Sequence, residues 1–99
     1  MPKVFVANKS SHDFRPALKF GELVFITSGE LNKFAVGDLY RQFATALKDA
    51  TEDDFFMPTS LPILSGIGTG IFVQRFGRVK YLLFRAGEYI IRTIDFTND

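Results

Sequence analysis

The chain has 99 residues, no cysteine, one histidine and a formal charge of +1. This length fits one domain with a modest hydrophobic core. The lack of cysteine excludes disulfides and thiolate metal sites, and a single histidine argues against a zinc site. The balance of 12 basic and 11 acidic residues argues against a protein whose main role is to coat nucleic acid.

The apolar segments argue against export and against membrane insertion. The residues from Met1 to Ala7 lack the long apolar core of a signal peptide and continue directly into a strand-like run. The longest weakly polar run, residues 61–73, is too short and too rich in glycine to span a bilayer. We therefore expect a cytoplasmic protein that makes no membrane contact.

Two apolar runs, Lys3–Ala7 and Glu22–Ile26, predict the first two strands. Between them, Asp13 can cap a short helical turn over Phe14–Phe20, which Gly21 would end. The second run is apolar at consecutive positions, which is typical of a strand covered on both faces.

The clearest helix is predicted from Asp38 to Ala50, with Asp38 as its N-cap. An acidic turn over residues 51–54 follows, and we interpret it as a solvated loop because one loop rarely supplies enough ligands for a metal. The third strand is predicted at Asp54–Met57, where Pro58 restricts it to a strand end or a sheet edge. The helix is indicated by apolar residues that recur at spacings of three and four: Val36, Leu39, Tyr40, Phe43, Ala46, Leu47 and Ala50.

The stretch from Thr59 to Gly77 reads as a helix that carries three glycines at alternate positions. Ser60 is its predicted N-cap, Pro62 falls in its first turn, and Gly77 suits the position after its last turn. Two phosphate-binding motifs fail here. The dinucleotide fingerprint needs a glycine or alanine where Ile71 stands, and no Gly-Lys-Ser/Thr follows as a P-loop requires.

The three glycines of this helix need an explanation, because together they cost about 2–3 kcal/mol relative to alanines. Gly66 and Gly70 are four residues apart and, with Gly68 or Thr69, would form a smooth strip that a sheet, a helix or a second copy could approach. A glycine loop that contacts a ligand and plain flexibility are the alternatives. The residues expected in the core in either case are Ile63, Leu64, Ile67, Ile71 and Phe72.

The C-terminal part predicts a hairpin in which Val79–Arg85 and Glu88–Ile94 flank the two-residue turn Ala86-Gly87. The tail from Asp95 to Asp99 is expected to fray. The element order β-α-β-α-β-α-β-β then predicts an α/β fold: one domain over residues 1–99, with a mixed five-stranded sheet and a C-terminal antiparallel hairpin.

A candidate site follows from the polar residues at the ends of the first three strands. If these strands are parallel, their carboxyl ends meet at one edge of the sheet, where ligands usually bind. The glycine helix would begin at the same edge, and its free N–H groups suit an anion. The alternative is that these are ordinary turn and cap residues. The candidate ligand-binding residues are Asn8, Lys9, Ser10, His12, Arg15, Thr27, Ser28, Thr59 and Ser60.

No catalytic motif accompanies these residues. Adjacent residues such as His12 and Asp13 seldom orient each other as a base and its partner do. A hydrolase that uses Ser10, Ser28 or Ser60 with His12 is a weaker hypothesis, as is a contact with nucleic acid through scattered basic residues. We therefore expect a protein that is not an enzyme and that needs neither a cofactor nor a metal.

The predicted elements also indicate self-association. Two substantial helices and one short one can hardly cover both faces of a five-stranded sheet whose strands are apolar on both sides. An uncovered apolar face of several hundred Å² usually marks a protein interface. We expect a homo-oligomer, most simply a two-fold dimer, with the hairpin or the Gly66–Gly70 strip at the contact.

Four segments resemble small accessory proteins encoded by tailed bacteriophages, and the similarity spans most of the chain: His12–Phe14, Phe20–Phe25, Tyr40–Ala44 and Leu47–Asp49. The resemblance carries no catalytic motif. It implies a compact protein that acts inside an infected bacterium, for example by sequestering a nucleotide signal of host defence between subunits. The alternative function is a protein–protein interaction module whose apolar sheet face binds a host or phage partner.

Overall fold

The computed structural model describes residues 1–97, which contain five strands, one 3₁₀-helix and two α-helices. Every predicted element is present, although β1 and β2 both continue beyond their predicted ends at Ala7 and Ile26. The strands are β1 (Lys3–Lys9), β2 (Glu22–Ser28), β3 (Phe55–Met57), β4 (Arg78–Arg85) and β5 (Glu88–Asp95). The helices are the 3₁₀-helix (Arg15–Phe20), α1 (Val36–Ala46) and α2 (Pro62–Phe76).

The strands form one sheet in the order β2-β1-β3-β4-β5. The first four strands are parallel to one another, and β5 pairs antiparallel with β4. These pairings confirm the predicted α/β fold with a mixed five-stranded sheet and a C-terminal hairpin. Because β1 to β4 are parallel, their carboxyl ends meet at one edge, which is called the carboxyl edge below.

The sheet is buried on both faces near its centre. On one face Phe5 and Phe56 pack with α1 and α2, and on the other Val4 and Phe55 pack with residues at the 3₁₀-helix, including Phe14. The edge strand β2 differs from its prediction, because its central residues 23–25 are only half-buried. A strand with a neighbour on one side only receives less cover from the layers above and below it.

Helix α1 starts earlier and ends earlier than its predicted span. Ala35 is the N-cap, so Asp38 lies within the first turn, where it forms an ion pair with Arg41. The buried side of the helix is as predicted at Leu39 and Phe43. Two residues of the predicted stripe, Val36 and Tyr40, are about half exposed.

The glycines of α2 face two different environments. Gly68 is buried against the sheet, and a Cβ at this position would lie 2.2 Å from Cζ of Phe56. Gly66 and Gly70 are exposed, and a Cβ at either one would meet nothing within 4 Å. Close packing therefore explains Gly68, which does not belong to the strip formed by Gly66 and Gly70.

The C-terminal hairpin has the predicted register, with Arg85 opposite Glu88. Both turn residues have positive φ, 51° at Ala86 and 84° at Gly87, as a type I′ turn requires. The fraying prediction is wrong for the first part of the tail: Asp95 belongs to β5, and the Phe96 N–H donates to the Gly77 carbonyl at 2.7 Å. Residues 98 and 99 lie outside the described part.

The hairpin and its continuation leave much apolar surface exposed. The large apolar side chains of β4, β5 and the residues that follow β5 that are exposed by 40% or more are Leu83, Phe84, Ile91, Ile94 and Phe96.

Within residues 1–97, no helix combines the length and the apolar character that a membrane span needs.

The glycines of α2 can be tested by three alanine substitutions. We expect Gly68→Ala to lower the free energy of unfolding by about 1–3 kcal/mol, because the added methyl overlaps a buried aromatic ring. Gly66→Ala and Gly70→Ala should each raise it by about 0.8–1 kcal/mol through better helix propensity. Urea unfolding followed by circular dichroism gives all three values, and equal effects at the three positions would contradict this assignment.

Candidate functional site

Asn8 is the centre of the carboxyl edge, where β1, β2 and β3 end. Its side chain is buried, with 4% of its surface exposed. Its amide nitrogen donates to the Gly29 carbonyl at 3.0 Å and lies 3.4 Å from Oγ of Ser60. Its amide oxygen accepts a hydrogen bond from the hydroxyl of the buried Thr27 at 2.9 Å. Asn8 therefore links the chain segments that leave β2 and β3.

Thr59 extends the pairing between β1 and β3 with its side chain. Its hydroxyl accepts from the Asn8 N–H at 3.1 Å and donates to the Asn8 carbonyl at 3.2 Å. The strand β3 ends at Met57, and the following Pro58 has no N–H to donate. A side-chain hydroxyl thus replaces a backbone amide at this point.

Ser60 has an uncommon backbone conformation for a residue other than glycine, with φ of 70°. The prediction that Ser60 is the N-cap of α2 is wrong. Leu61 occupies that position, with ψ of 140° and no side-chain hydrogen bond to the helix. The competing partner is the Asn8 amide, toward which the Ser60 hydroxyl is turned.

The N-terminus of α2 therefore reaches the carboxyl edge without a side-chain cap. Its first turn contains no acidic residue, and Pro62 stands at the start as predicted. Pro62 has no N–H, and the Leu64 N–H donates to the Leu61 carbonyl at 3.0 Å, so Ile63 has the free N–H of the first turn. The dipole of the 15-residue α2 places partial positive charge at this end. This arrangement favours an anion near Leu61.

Lys9 and Ser28 flank this region. They are partners in the β1–β2 register, and both are exposed. The Lys9 ammonium lies 5.3 Å from the centre of the Phe25 ring, within the range of a cation–π contact. The rim of the carboxyl edge thus offers an ammonium group and a hydroxyl group to solvent.

His12 makes its contacts with the hairpin. Its Nε2 lies 3.1 Å from the hydroxyl of Tyr89, and its ring packs edge-on at 5.0 Å against both Phe14 and Phe84. The Ser10 hydroxyl accepts the backbone N–H of His12 at 3.3 Å. Burial, followed by the charge of Asp13, raises the pKa of Tyr89. Sequence reasoning missed Tyr89 and Phe84, since no local pattern signals a contact over 77 residues.

Arg15 is engaged by its neighbour Asp13. Its Nε and Nη2 donate to the two carboxylate oxygens, each at 2.9 Å, and its backbone N–H donates to one of them at 3.0 Å. These hydrogen bonds and the Arg15 charge lower the pKa of Asp13 to about 2. Asp13 is therefore not the N-cap of the 3₁₀-helix, a position that Phe14 occupies, but its carboxylate accepts the N–H of the first helical residue, Arg15.

The structure divides the nine candidate residues into three groups. One hydrogen-bonded unit consists of Asn8, Thr27, Thr59 and Ser60. The exposed rim beside it consists of Lys9 and Ser28. The loop from β1 to the 3₁₀-helix carries Ser10, His12 and Arg15, whose hydrogen bonds stay within that loop or go to Tyr89.

Most hydrogen-bonding groups of this unit are bonded to other members of the unit. The unit therefore fixes the structure of the carboxyl edge and leaves few of its own groups for a ligand. Groups that remain open to a ligand are the Ile63 N–H in the first turn of α2, the exposed Ser60 and Ser28, and the Lys9 ammonium. Hydroxyls, amides and an ammonium group are suited to bind an anion. Within residues 1–97, no group of three His, Cys, Asp or Glu side chains is placed to hold a metal ion.

A cavity of about 320 Å³ lies at the amino ends of the parallel strands, opposite the carboxyl edge, and its lining includes Lys3, Asp53 and Asp54. Its buried carboxylate, Asp54, accepts backbone N–H bonds from Lys3 and Thr51, both at 2.8 Å. That carboxylate therefore holds β1 to the segment before β3, and it is already supplied with donors.

The role of Thr59 can be tested with Thr59→Val, which keeps the shape and removes the hydroxyl. The Asn8 backbone would lose a donor and an acceptor, so we expect the free energy of unfolding to fall by about 1–3 kcal/mol. Thr45→Val, at an exposed position of α1, is the matched control and should change it by less than about 0.5 kcal/mol. Equal values for the two variants in urea unfolding would contradict the proposed pairing.

The Asp13–Arg15 pair predicts a pH effect. Because the pKa of Asp13 is lower in the folded than in the unfolded chain, the ionised carboxylate stabilises the fold. This contribution is fully present at pH values above the unfolded-state pKa near 3.9 and is lost as the pH falls toward about 2. We expect an NMR titration of the Asp13 carboxyl to give a midpoint near 2, which should rise toward the ordinary value in Arg15→Gln. An unchanged midpoint in that variant would show that Arg15 is not the cause.

The model of a family described as phage Pam3 gp32-like protein matches residues 2–96. No curated protein and no solved structure matches the chain. The match covers all five strands and all three helices described above, and it confirms the resemblance to small phage proteins. The chain belongs to the phage Pam3 gp32-like protein family.

Proposed function

We propose that the protein is a non-catalytic, homo-oligomeric binder of a small anionic ligand of the nucleotide type. The ligand would bind at the carboxyl edge, with its phosphate at the start of α2. The observation that carries this proposal is the N-terminus of α2, which has no side-chain cap and no acidic residue in its first turn. Anions bind such termini through backbone N–H groups and the helix dipole.

The backbone of Ser60 supports the same location. A left-handed conformation costs a residue with a Cβ about 1–2 kcal/mol. Such strain persists where the surroundings enforce it, and it is frequent at ligand-binding positions. Here the Ser60 hydroxyl lies 3.4 Å from the Asn8 amide nitrogen, and α2 begins two residues later. The exposed Ser60 is thus close in the chain to the start of the helix.

A nucleobase would find an aromatic surface at the same edge. Phe84 lies at the carboxyl end of β4 on the sheet face opposite α2, is 49% exposed, and packs against His12 and Tyr89. A ligand that contacts both Phe84 and the start of α2 would extend over the carboxyl edge from one face to the other. Stacking of a base on an aromatic side chain contributes about 1–3 kcal/mol and tolerates any base. Lys9 would supply the positive charge at the rim. These contacts need no nucleophile, general base or metal.

Membership in a phage protein family suggests the biological role. A small protein that binds a nucleotide without altering it can sequester a signal of the host's defence in the cytoplasm of an infected bacterium. Sequestration requires about as many binding sites as there are nucleotide molecules, and a short chain can be made in such amounts at low cost to the phage. Placing the ligand close to a subunit contact would add to its burial.

A thermal-shift screen is the direct test of ligand binding. The ligands are inorganic phosphate, nucleoside monophosphates, cyclic dinucleotides and ADP-ribose derivatives. A ligand at one hundred times its dissociation constant should stabilise the fold by about 2.7 kcal/mol, which for a domain of this size raises the melting temperature by on the order of 10 °C. No shift with any of these ligands would contradict the proposal.

Three variants locate the site once a ligand is found. Lys9→Gln should weaken binding at least threefold, whereas Lys48→Gln, which follows α1 at the other end of the molecule, should leave it unchanged. Ser60→Gly removes the hydroxyl and relieves the backbone strain, which offsets the lost hydrogen bond from the Asn8 amide, so we expect weaker binding by a protein of similar stability. Equal effects of the two lysine variants would place the ligand elsewhere.

The second candidate function is a protein–protein interaction module that inhibits or redirects a host protein. The exposed apolar side chains of the hairpin favour it, since scattered single residues are ordinary but a continuous group suggests an interface. A nucleotide screen without any shift, together with a hairpin that remains exposed in a monomer, would favour this function over ligand binding.

A further inference from the structure

The strand β5 has a free edge. In a two-residue hairpin, Arg85 and Glu88 exchange both backbone hydrogen bonds, and the paired residues alternate from there. The backbone groups of Glu88, Ile90 and Arg92 therefore point toward β4, and those of the residues between them point away from the sheet. Phe96 continues this series, because its N–H also points toward the β4 side and donates to the Gly77 carbonyl.

This edge lacks two of the features that usually prevent strand pairing, a proline and a bulge, although it carries charged residues. The Arg92 guanidinium donates to the outward-facing Ile91 carbonyl at 2.8 Å, so pairing with a second strand requires Arg92 to release that carbonyl. The strand has eight residues without proline, and its register with β4 continues without a bulge. All of its residues except Tyr89 and Ile90 are exposed. At the other edge of the sheet, by contrast, the central residues of β2 are half-buried or buried.

The exposed apolar side chains lie on both faces of the hairpin. By alternation from the paired register, Leu83 and Ile94 lie on the face that carries α1 and α2, whereas Phe84 and Ile91 lie on the opposite face. A partner docked on one face would leave the other pair in water. A strand added beside β5 would bring side chains next to both faces.

The charges of β5 indicate which strand would pair with its free edge and in which register. Asp95 is paired within the chain, 3.5 Å from Nη2 of Arg78. Glu88 and Arg92 form no ion pair within residues 1–97, and both are exposed on the same face of β5. They carry opposite charges, four residues apart along the strand. A second copy of the same strand, run antiparallel, can match both charges at once.

We propose that β5 of one copy pairs antiparallel with β5 of a second copy about a two-fold axis, with Glu88 opposite Arg92 of the partner subunit. The symmetry makes this contact twice. Ile90 then faces Ile90 of the partner subunit, and Tyr89 faces Ile91 of the partner subunit. The pairing joins two five-stranded sheets into one of ten strands.

Two alternative registers do not match these charges. Centring Ile91 on Ile91 of the partner subunit places Glu88 and Arg92 opposite isoleucines. A two-fold axis normal to the sheet places the helix-bearing faces of both copies on the same side. Every register that meets this condition therefore has one residue of β5 opposite the same residue of the partner strand. The register that centres Arg92 on Arg92 of the partner subunit places like charges directly opposite, which is destabilising. The proposed register replaces that repulsion with two attractive pairs. It rests on the oligomeric part of the proposed function and not on its ligand.

The experiment measures the mass of the protein in solution by sedimentation equilibrium at several concentrations. We expect the native chain to be dimeric, and Glu88→Arg and Arg92→Glu each to raise the dissociation constant at least tenfold. The double variant E88R/R92E should return it to within about threefold of the native value. An equimolar mixture of the two single variants should also form dimers, because each strand then meets opposite charges.

Two control variants distinguish this interface from a folding defect and from a general effect of charge. Any local effect of Glu88→Arg on the hairpin is shared by the double variant, so recovery there excludes misfolding as the cause. Glu52→Arg, in an exposed turn, is the matched charge reversal and should leave the mass unchanged. A native monomer overturns the proposal and the oligomeric part of the proposed function, whereas a dimer insensitive to the charge reversals overturns only this interface. The ligand part of the proposed function fails separately, in the thermal-shift screen.

Discussion

The buried amide of Asn8 is the constraint on which the carboxyl edge depends. A polar group taken out of water must find partners, and Asn8 finds them in the segments that follow β2 and β3. Those partners fix where β2 stops and hold the chain after β3 against β1. Ser60 has its left-handed backbone conformation at the same place, and α2 begins two residues beyond it. One side chain thereby positions three strand ends and the start of a helix.

Much of the fold is predictable because its signals are local. Short apolar runs bounded by turn residues define the strands, and the type I′ turn at Ala86-Gly87 sets the hairpin register without reference to the rest of the chain. The strand ends are harder to predict. Asn8 and Lys9 read as loop residues from their polarity, yet they pair in β1 because β2 and Thr59 supply their hydrogen bonds.

The parts of the site that sequence reasoning missed depend on partners that are distant in the chain. Ser60 has the composition of an N-cap, but an amide 52 residues away competes for its hydroxyl. His12 belongs by position to the polar strand ends, but the aromatic residues of the hairpin hold its ring. The spacing of the glycines in α2 indicated close packing, and only the position of Phe56 shows that Gly68 alone faces the sheet.

The interior position of β1, between β2 and β3, has a consequence for the order in which the chain can fold. β1 is the first strand to be synthesised, yet its partner β3 and the hydroxyl of Thr59 follow about 50 residues later. Until then, β1 can pair only with β2, and its other edge stays open. Closing such long loops costs entropy before the contacts repay it, which slows folding. A nascent chain on the ribosome would therefore expose a reactive strand edge until most of the protein has emerged, whereas the hairpin, whose contacts are local, can form as soon as it is made.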